Sequence, residues 1–480
     1  MRIRPSSPLQ NGLLVKSRAD AMATQHELVV SQTVDFGQAV AVSGDYAIVG
    51  ARQPNPNSLT SPGEAHIFVK AGTSWSEQSE LLPTSPPDTS DDFGTAVAID
   101  GEYAIVGSPW HGPNHEGRAY VYHRQRTVWS QQSILAPGDP VEFGGFGSSV
   151  SISADFAIVG SESGAYVFQR TGSTWAQQVK LTGSFSRVSL SGQTAVVNGQ
   201  ESAIVFQRNG STWQQQAVLT GSDALPSGFF GQSLSISGDH IIVGAIHAQK
   251  VGTDYLGAAY VFRRTGSAWT QEAKLEATSQ LPPNQFATSV AISGDFAVVG
   301  DPSDDDAAPG AGAAYVFRRK GGGWPLVEKI TASNAATFDW FGKAVAIDGN
   351  APSAQAIVGA EGKNAGVAYV LSDFPGSFDN VIDPSKYAIY ARILFGLTHG
   401  GGGVIWLPGT GPVPVDPEPF KTFSAMSPRK RDAMVGLAIS ELSNLVYDGA
   451  SREDIRRAGL RLLKRSADQI HIPQETRGQR

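Results

Sequence analysis

Residues 146–181 read FGSSVSISADFAIVGSESGAYVFQRTGSTWAQQVKL. Four short runs alternate apolar with small or polar residues, and turn residues separate them: Ala154-Asp155, Ser161 to Gly164, and Thr171-Gly172-Ser173. Alternation of this kind predicts strands with one buried face, and Gly/Asp/Ser pairs between them predict tight hairpins.

Versions of this unit recur seven times. A Phe-Gly pair opens the first strand at 36–37, 93–94, 146–147, 230–231 and 341–342, with Phe185-Ser186 and Phe286-Ala287 in its place elsewhere. The second strand ends in Val-Gly at Gly50, Gly107, Gly160, Gly244, Gly300 and Gly359. The third reads HIFV, AYVY, AYVF, AIVF, AYVF, AYVF and AYVL in turn. The fourth begins at Trp75, Trp129, Trp175, Trp213, Trp269 or Trp324, with Leu or Ile six residues later. Six of the nine tryptophans thus share one repeat position, which chance does not produce. The seventh copy lacks a fourth strand, and Thr24-Gln25-His26-Glu27-Leu28 at the other end supplies a matching piece. Pairing it with the last copy closes a ring and removes two sheet edges.

The expected architecture is therefore an all-β seven-bladed β-propeller with four-stranded antiparallel blades, closed by an N-terminal strand, plus a small C-terminal α-helical module. The compressed fourth copy, from Phe185, leaves a count of six open. The domains read as a disordered leader (1–23), the propeller (24–373), a helix, Gly-rich turn and Pro-rich linker (374–420), a helical hairpin (421–473) and a disordered tail (474–480). Within these, Asp383-Pro384 caps a helix to about Leu397, residues 404–407 form a short apolar strand or buried loop, and residues 408–419 form an extended linker.

The units resemble the FG-GAP repeats of the integrin α-subunit propeller and of many bacterial proteins. That resemblance implies the propeller fold and a partner received on the long-loop face. Calcium-binding members carry an Asp-rich loop between the first two strands, and here that loop is a two-residue turn such as Gly44-Asp45. Two residues cannot supply the six to eight oxygens calcium takes, so the resemblance does not carry those sites over.

Composition narrows the chemistry. With no Cys, disulfides, thiolate zinc sites and a Cys nucleophile are excluded. Residues 421–480 hold twelve Lys/Arg against seven Asp/Glu, a net of +5, so residues 1–420 carry −12 of a chain total of −7. An acidic body argues against a nucleic-acid groove in the propeller. The basic helical hairpin would suit an acidic partner, a membrane surface, nucleic acid or its own acidic propeller. No run reaches the length of a transmembrane span. The N-terminus lacks the apolar core of a signal peptide, which implies a cytoplasmic protein as written, and a secreted or cell-surface one if translation starts upstream.

Loops between strands two and three are long in copies 1, 2, 5 and 6, and emerge with the blade-to-blade connections on one face. Variable loops on a rigid scaffold are where binding concentrates. The candidate binding residues there are Asp88, Asp91, Asp92, His111, His115, His247, Asp254, Asp301, Asp304, Asp305 and Asp306. The run from Asp301 to Asp306 is the one candidate calcium site, though it lacks the alternating Asp spacing of a calcium loop and reads better as a solvated acidic loop. No catalytic motif is present: there is no Gly-x-Ser-x-Gly, no phosphate loop, and His115-Glu116 does not extend to His-Glu-x-x-His. The expectation is a non-enzymatic binding or scaffold protein that recognises a protein or carbohydrate ligand through the long-loop face, with the helical module serving assembly. The alternative is a propeller glycoside hydrolase or lyase, which needs two loop carboxylates converging at the axial mouth.

Overall fold

The computed structural model describes residues 23–374, apart from 31–33, 54–62, 85–90, 184, 226–227, 252–253, 278–284, 350–353 and 364–365, together with 404–407 and 411–414. The chain divides into two units, Met1–Pro375 and Gly376–Arg480. In the first, seven four-stranded antiparallel sheets follow one another in chain order. Blade 3 is representative: its strands Ser149–Ser153, Phe156–Ser161, Gly164–Thr171 and Thr174–Thr182 pair consecutively. The compressed fourth copy is a complete blade with strands Val188–Ser191, Thr194–Gly199, Ser202–Asn209 and Thr212–Leu219. The count is therefore seven. Blade 7 takes its outer strand from the N-terminus, where Thr24–Leu28 pairs with Val367–Ser372 in the register Gln25↔Leu371 and Leu28↔Ala368.

The core lies between blades, not within them. At the junction of blades 2 and 3, for example, Ile105, Val121 and Leu135 of one sheet meet Phe146, Val159, Tyr166 and Trp175 of the next. Each repeated residue has a task at such a junction. The Phe of Phe-Gly is buried edge-on against the third-strand aromatics, with Phe146 5.3 Å from Tyr166 and 6.1 Å from Phe168. Its Gly takes a positive φ (103° at Gly147) and donates its N–H across the sheet to Gly160 O at 3.1 Å. The Val-Gly glycine of the preceding blade lies against it so closely that a Cβ on Gly107 would stand 2.0 Å from Gly147 O. Only bare backbone fits on both sides.

The Trp-x-Gln-Gln pattern is a staple. Trp175 Nε1 donates to Gln132 Oε1 of blade 2, as Trp129 does to Gln78 and Trp269 to Gln216. The neighbouring glutamine reaches back to the incoming connection: Gln131 accepts from Thr84 N, and Gln177 from Gly138 N. Near the axis, strand-end Ser or Asp side chains accept N–H bonds from the next blade's first hairpin, for instance Ser43 from Gly101, Asp100 from Ala154 and Asp348 from Gly44. The last of these spans the closure between blades 7 and 1.

Three features differ from the sequence expectation. The long loop of copy 5 is not a loop: strands His240–Val251 and Asp254–Thr265 run on as an extended hairpin. The stretch 408–419 is not wholly an extended linker, because Gly411–Pro414 pairs with Val404–Leu407. And two acids of the 301–306 run are buried, as described below. The leader, the helix ending near Leu397, the helical hairpin 421–473 and the tail lie outside the described residues. Among the described residues no helix is long and apolar enough to cross a membrane.

Candidate binding face

Antiparallel blades put every first and third hairpin on one face, and the strand 2–3 loops with the blade connections on the other. The two faces treat aromatic residues differently. On the hairpin face, Tyr46, Tyr103, Phe156 and Phe296 are each covered by a guanidinium: Arg124, Arg170, Arg208 and Arg318 lie 4.4, 4.4, 4.9 and 5.1 Å from the ring centres. Such stacking shields the ring from water and adds cation–π attraction.

The long-loop face carries aromatics that stay partly open to water. Trp110, Phe143, Phe229, Tyr255, Phe338 and Trp340 are between 36% and 60% exposed, and they are the exposed aromatics among the described residues. Four also carry strained backbone: φ is 56° at Phe143, 56° at Phe229, 61° at Phe338 and 55° at Trp340. Asp35, Asp92 and Gly145 hold the same left-handed turn immediately before their own Phe at φ of 57°, 50° and 60°. Asp and Gly tolerate that region, whereas a bulky residue there costs about 1–3 kcal/mol. A stability-driven sequence would place Asn, Asp or Gly at Phe229 and Trp340.

The rings form platforms at three junctions. Between blades 2 and 3, His115 lies 5.3 Å from Phe143 and 6.1 Å from Trp110. His115 Nδ1 donates to Trp110 O at 2.9 Å, and Phe143 N to Asn114 O at 3.0 Å. Between blades 4 and 5, His247 stacks on Tyr255 at 4.5 Å and meets Phe229 at 5.0 Å. Between blades 6 and 7, Phe338 and Trp340 lie over bare glycine backbone: a Cβ on Gly310 would reach Phe338 Cδ1 at 2.7 Å, and one on Gly362 would reach Trp340 Cε3 at 3.0 Å.

The sequence-predicted acids behave otherwise. Asp91 is buried, with Oδ2 2.7 Å from His111 Nδ1. The main-chain O of Asp92 accepts from Thr95 N and Oγ1 in its turn, and its carboxyl is held above the ordinary value by burial and by Asp35 and Asp91, against Arg52. Asp304 is buried, accepting from Tyr315 Oη at 3.0 Å and pairing with Lys329 at 2.7 Å. Asp306 also pairs with Lys329, and Asp305 accepts from Gly310 N at 2.6 Å. The Tyr–Asp–Lys clasp recurs as Tyr166–Asp139–Lys180 and Tyr260–Asp223–Lys274, so these acids tie loops to the buried third-strand tyrosine. Among the described residues no three His, Asp or Glu side chains are grouped to hold a metal ion. Asp88 lies outside the described residues, and Asp254 sits in the extended strand opposite Val251. Of the predicted set, His115 and His247 join platforms. Sequence reasoning missed the aromatics themselves. The available signal was that they fall off the repeat positions, next to Phe-Gly or inside variable loops.

Asp301 is the outlier among the acids. Burial, reinforced by Asp304, pushes its carboxyl up to about 6, although Oδ1 accepts from Gln285 N, Ser303 N and Ser303 Oγ. A raised carboxyl pKa means that ionisation opposes folding. The penalty grows as pH rises from about 4 to about 6 and is complete above that. Asp301→Asn is therefore expected to stabilise the protein by about 1–2 kcal/mol at pH 8, and not below pH 4.5, in paired thermal melts.

A family model described as FG-GAP repeat matches residues 30–68, 75–122, 129–173, 213–262, 269–317 and 324–371. It skips most of blade 4, the compressed copy, which folds as a blade all the same. A search of the curated proteins finds no match to the sequence. Among solved structures, the crystal structure of the N-terminal domain of Nup159 is 10% identical, covering 73% of this chain and 94% of that one with a TM-score of 0.41, too loose a likeness to carry an argument. The matched segments span more than half of the sequence, and their Phe-Gly and Val-Gly pairs make the junctions described above: the chain belongs to the FG-GAP repeat family.

Proposed function

We propose that this propeller is a non-enzymatic binding protein whose long-loop face recognises a protein or glycan partner. One observation carries the proposal: among the described residues the exposed aromatics lie on that face, while Tyr46, Tyr103, Phe156 and Phe296 of the opposite face are covered by arginine. Soluble proteins seldom leave aromatic rings bare in groups without a use for them, and strained backbone that persists points to function. The loop carboxylates support the same reading over the hydrolase alternative. Asp91, Asp304, Asp305 and Asp306 are each engaged by a histidine, lysine, tyrosine or backbone N–H of the scaffold.

The test compares two variants of the full chain as baits for native extract. Phe143→Asn/Phe229→Asn/Trp340→Asn removes one ring from each long-loop platform, and Asn accepts the left-handed turn, so the melting temperature is expected to stay within a few degrees of wild type. Asp45→Ala/Glu102→Ala alters the hairpin face. Capture of the wild-type partners is expected to be lost in the first and kept in the second. Loss only in the second would reject the proposal.

A further inference from the structure

We propose that the three aromatic platforms are subsites for neutral glycans, so that one rigid ring holds a branched or repeating oligosaccharide at several points. This rests on the long-loop face being the binding face. Three observations favour a sugar over a protein surface, and a fourth sets its charge class. The exposed rings do not form one patch: they stand at the 2–3, 4–5 and 6–7 junctions, and the junctions between them expose no aromatic among the described residues. A protein interface concentrates its aromatic anchors near the centre of one large buried area, whereas each platform here has the few rings that one or two pyranoses cover.

The rings are also set before any ligand arrives. Phe338 and Trp340 rest on glycine backbone, and His115 is locked by its bond to Trp110 O. A pyranose ring has a face of C–H groups with slight positive charge, which suits the negative face of an aromatic ring. Around that face it carries hydroxyls, which need a few placed polar partners. Polar side chains stand nearby: Asn114 and Glu116 in the loop of Trp110 and His115, Gln249 (bonded to Glu276 at 3.3 Å) in the strand that carries His247, and the exposed Asp305, which accepts from Gly310 N, in the loop against Phe338. Finally, the net charge of −12 over residues 1–420 repels polyanions, which selects neutral sugars over uronate-rich or sulfated ones.

The test uses the full chain on an array of neutral oligosaccharides of glucose, mannose, galactose and N-acetylglucosamine, with sulfated and uronate-containing glycans alongside. Hits are followed in solution by the fluorescence of exposed Trp110 and Trp340. Retention on neutral glycans is expected, weakened in Phe143→Asn, Phe229→Asn and Trp340→Asn singly, and weakened roughly a hundredfold in the triple variant as multivalency is lost. Trp110→Ser, a change at a loop ring, serves as a second variant should the triple fold poorly. A blank neutral array, retention on the acidic glycans alone, or binding undiminished in the triple variant and in Trp110→Ser would overturn the proposal. A blank array together with loss of extract capture in the triple variant would overturn the glycan while leaving the binding face standing. Neutral-glycan retention that follows the platforms supports both.

Discussion

Gly107→Ala is expected to destabilise the propeller by more than about 4 kcal/mol, enough to leave little folded protein. The added Cβ would stand 2.0 Å from the carbonyl oxygen of Gly147. That oxygen belongs to backbone pinned from both sides: Gly147 N bonds to Gly160 O, and Phe146 pairs with Gly117. Neither partner can retreat without opening the junction of blades 2 and 3 and its buried cluster of Val121, Phe146 and Tyr166. Gly44→Ala is the control. Unlike Gly107, Gly44 has a positive φ, 55°, but a Cβ there meets nothing within 4 Å. It should cost only about 1 kcal/mol, the ordinary penalty of a left-handed alanine. Chemical denaturation of the two variants separates steric interlock from backbone conformation. Equal losses would mean that the close approach of Gly107 to Gly147 O costs no more than one left-handed alanine.

Deleting residues 1–29 is expected to have an effect of similar size and a different character. It strips the outer strand from blade 7, exposing the edge of strand Val367–Ser372. It also removes Leu28, which is buried with Phe36, Ile357 and Val370 where blades 7 and 1 meet. Gln25 goes as well, and with it the bonds to Thr331 O and Ser333 N that hold the connection from blade 6. An unpaired edge beside an opened core is a template for association. The truncated chain should melt well below the full one and aggregate on heating. Leu28→Asp tests the packing alone by burying a charge in that cluster, at an expected cost of about 4 kcal/mol or more. A truncated chain that melted like the full one would show that the ring does not depend on this closure.

The fold was legible in the sequence to an unusual depth, because each repeated residue makes the same contact at successive junctions. Phe-Gly and Val-Gly record the places where two sheets touch backbone to backbone. The Trp-x-Gln-Gln run marks a fourth strand because its indole and amides bridge to the neighbouring blade. Even the split blade showed itself, since Thr24–Leu28 keeps the Gln and the Leu of a fourth strand. Its register differs in one respect: it lacks the bulge that the other outer strands show, such as the one at Val167/Phe168.

The face was legible and its chemistry was not. Repeats identify scaffold by recurrence, so residues that do not recur carry no periodic signal. The acids drew attention because Asp and Glu are expected in water. Yet Asp304 and Asp91 are buried by tertiary contacts to Lys329 and His111 that lie far off in sequence or in a variable loop. Residue type alone does not tell Phe229 from Phe230. What separates them is backbone: Phe230 enters the sheet, while Phe229 sits at φ 56° with its ring turned outward.

On the proposed function, ligand meets the long-loop face through these rings. Hydroxyl-radical footprinting of the full chain, with and without the material it captures, tests that most directly. The expected result is protection of Trp110, Phe143, Phe229, Tyr255, Phe338 and Trp340, with Tyr46 and Tyr103 unchanged under their arginines. Protection at the hairpin face, with the six rings labelled as in the free protein, would contradict it.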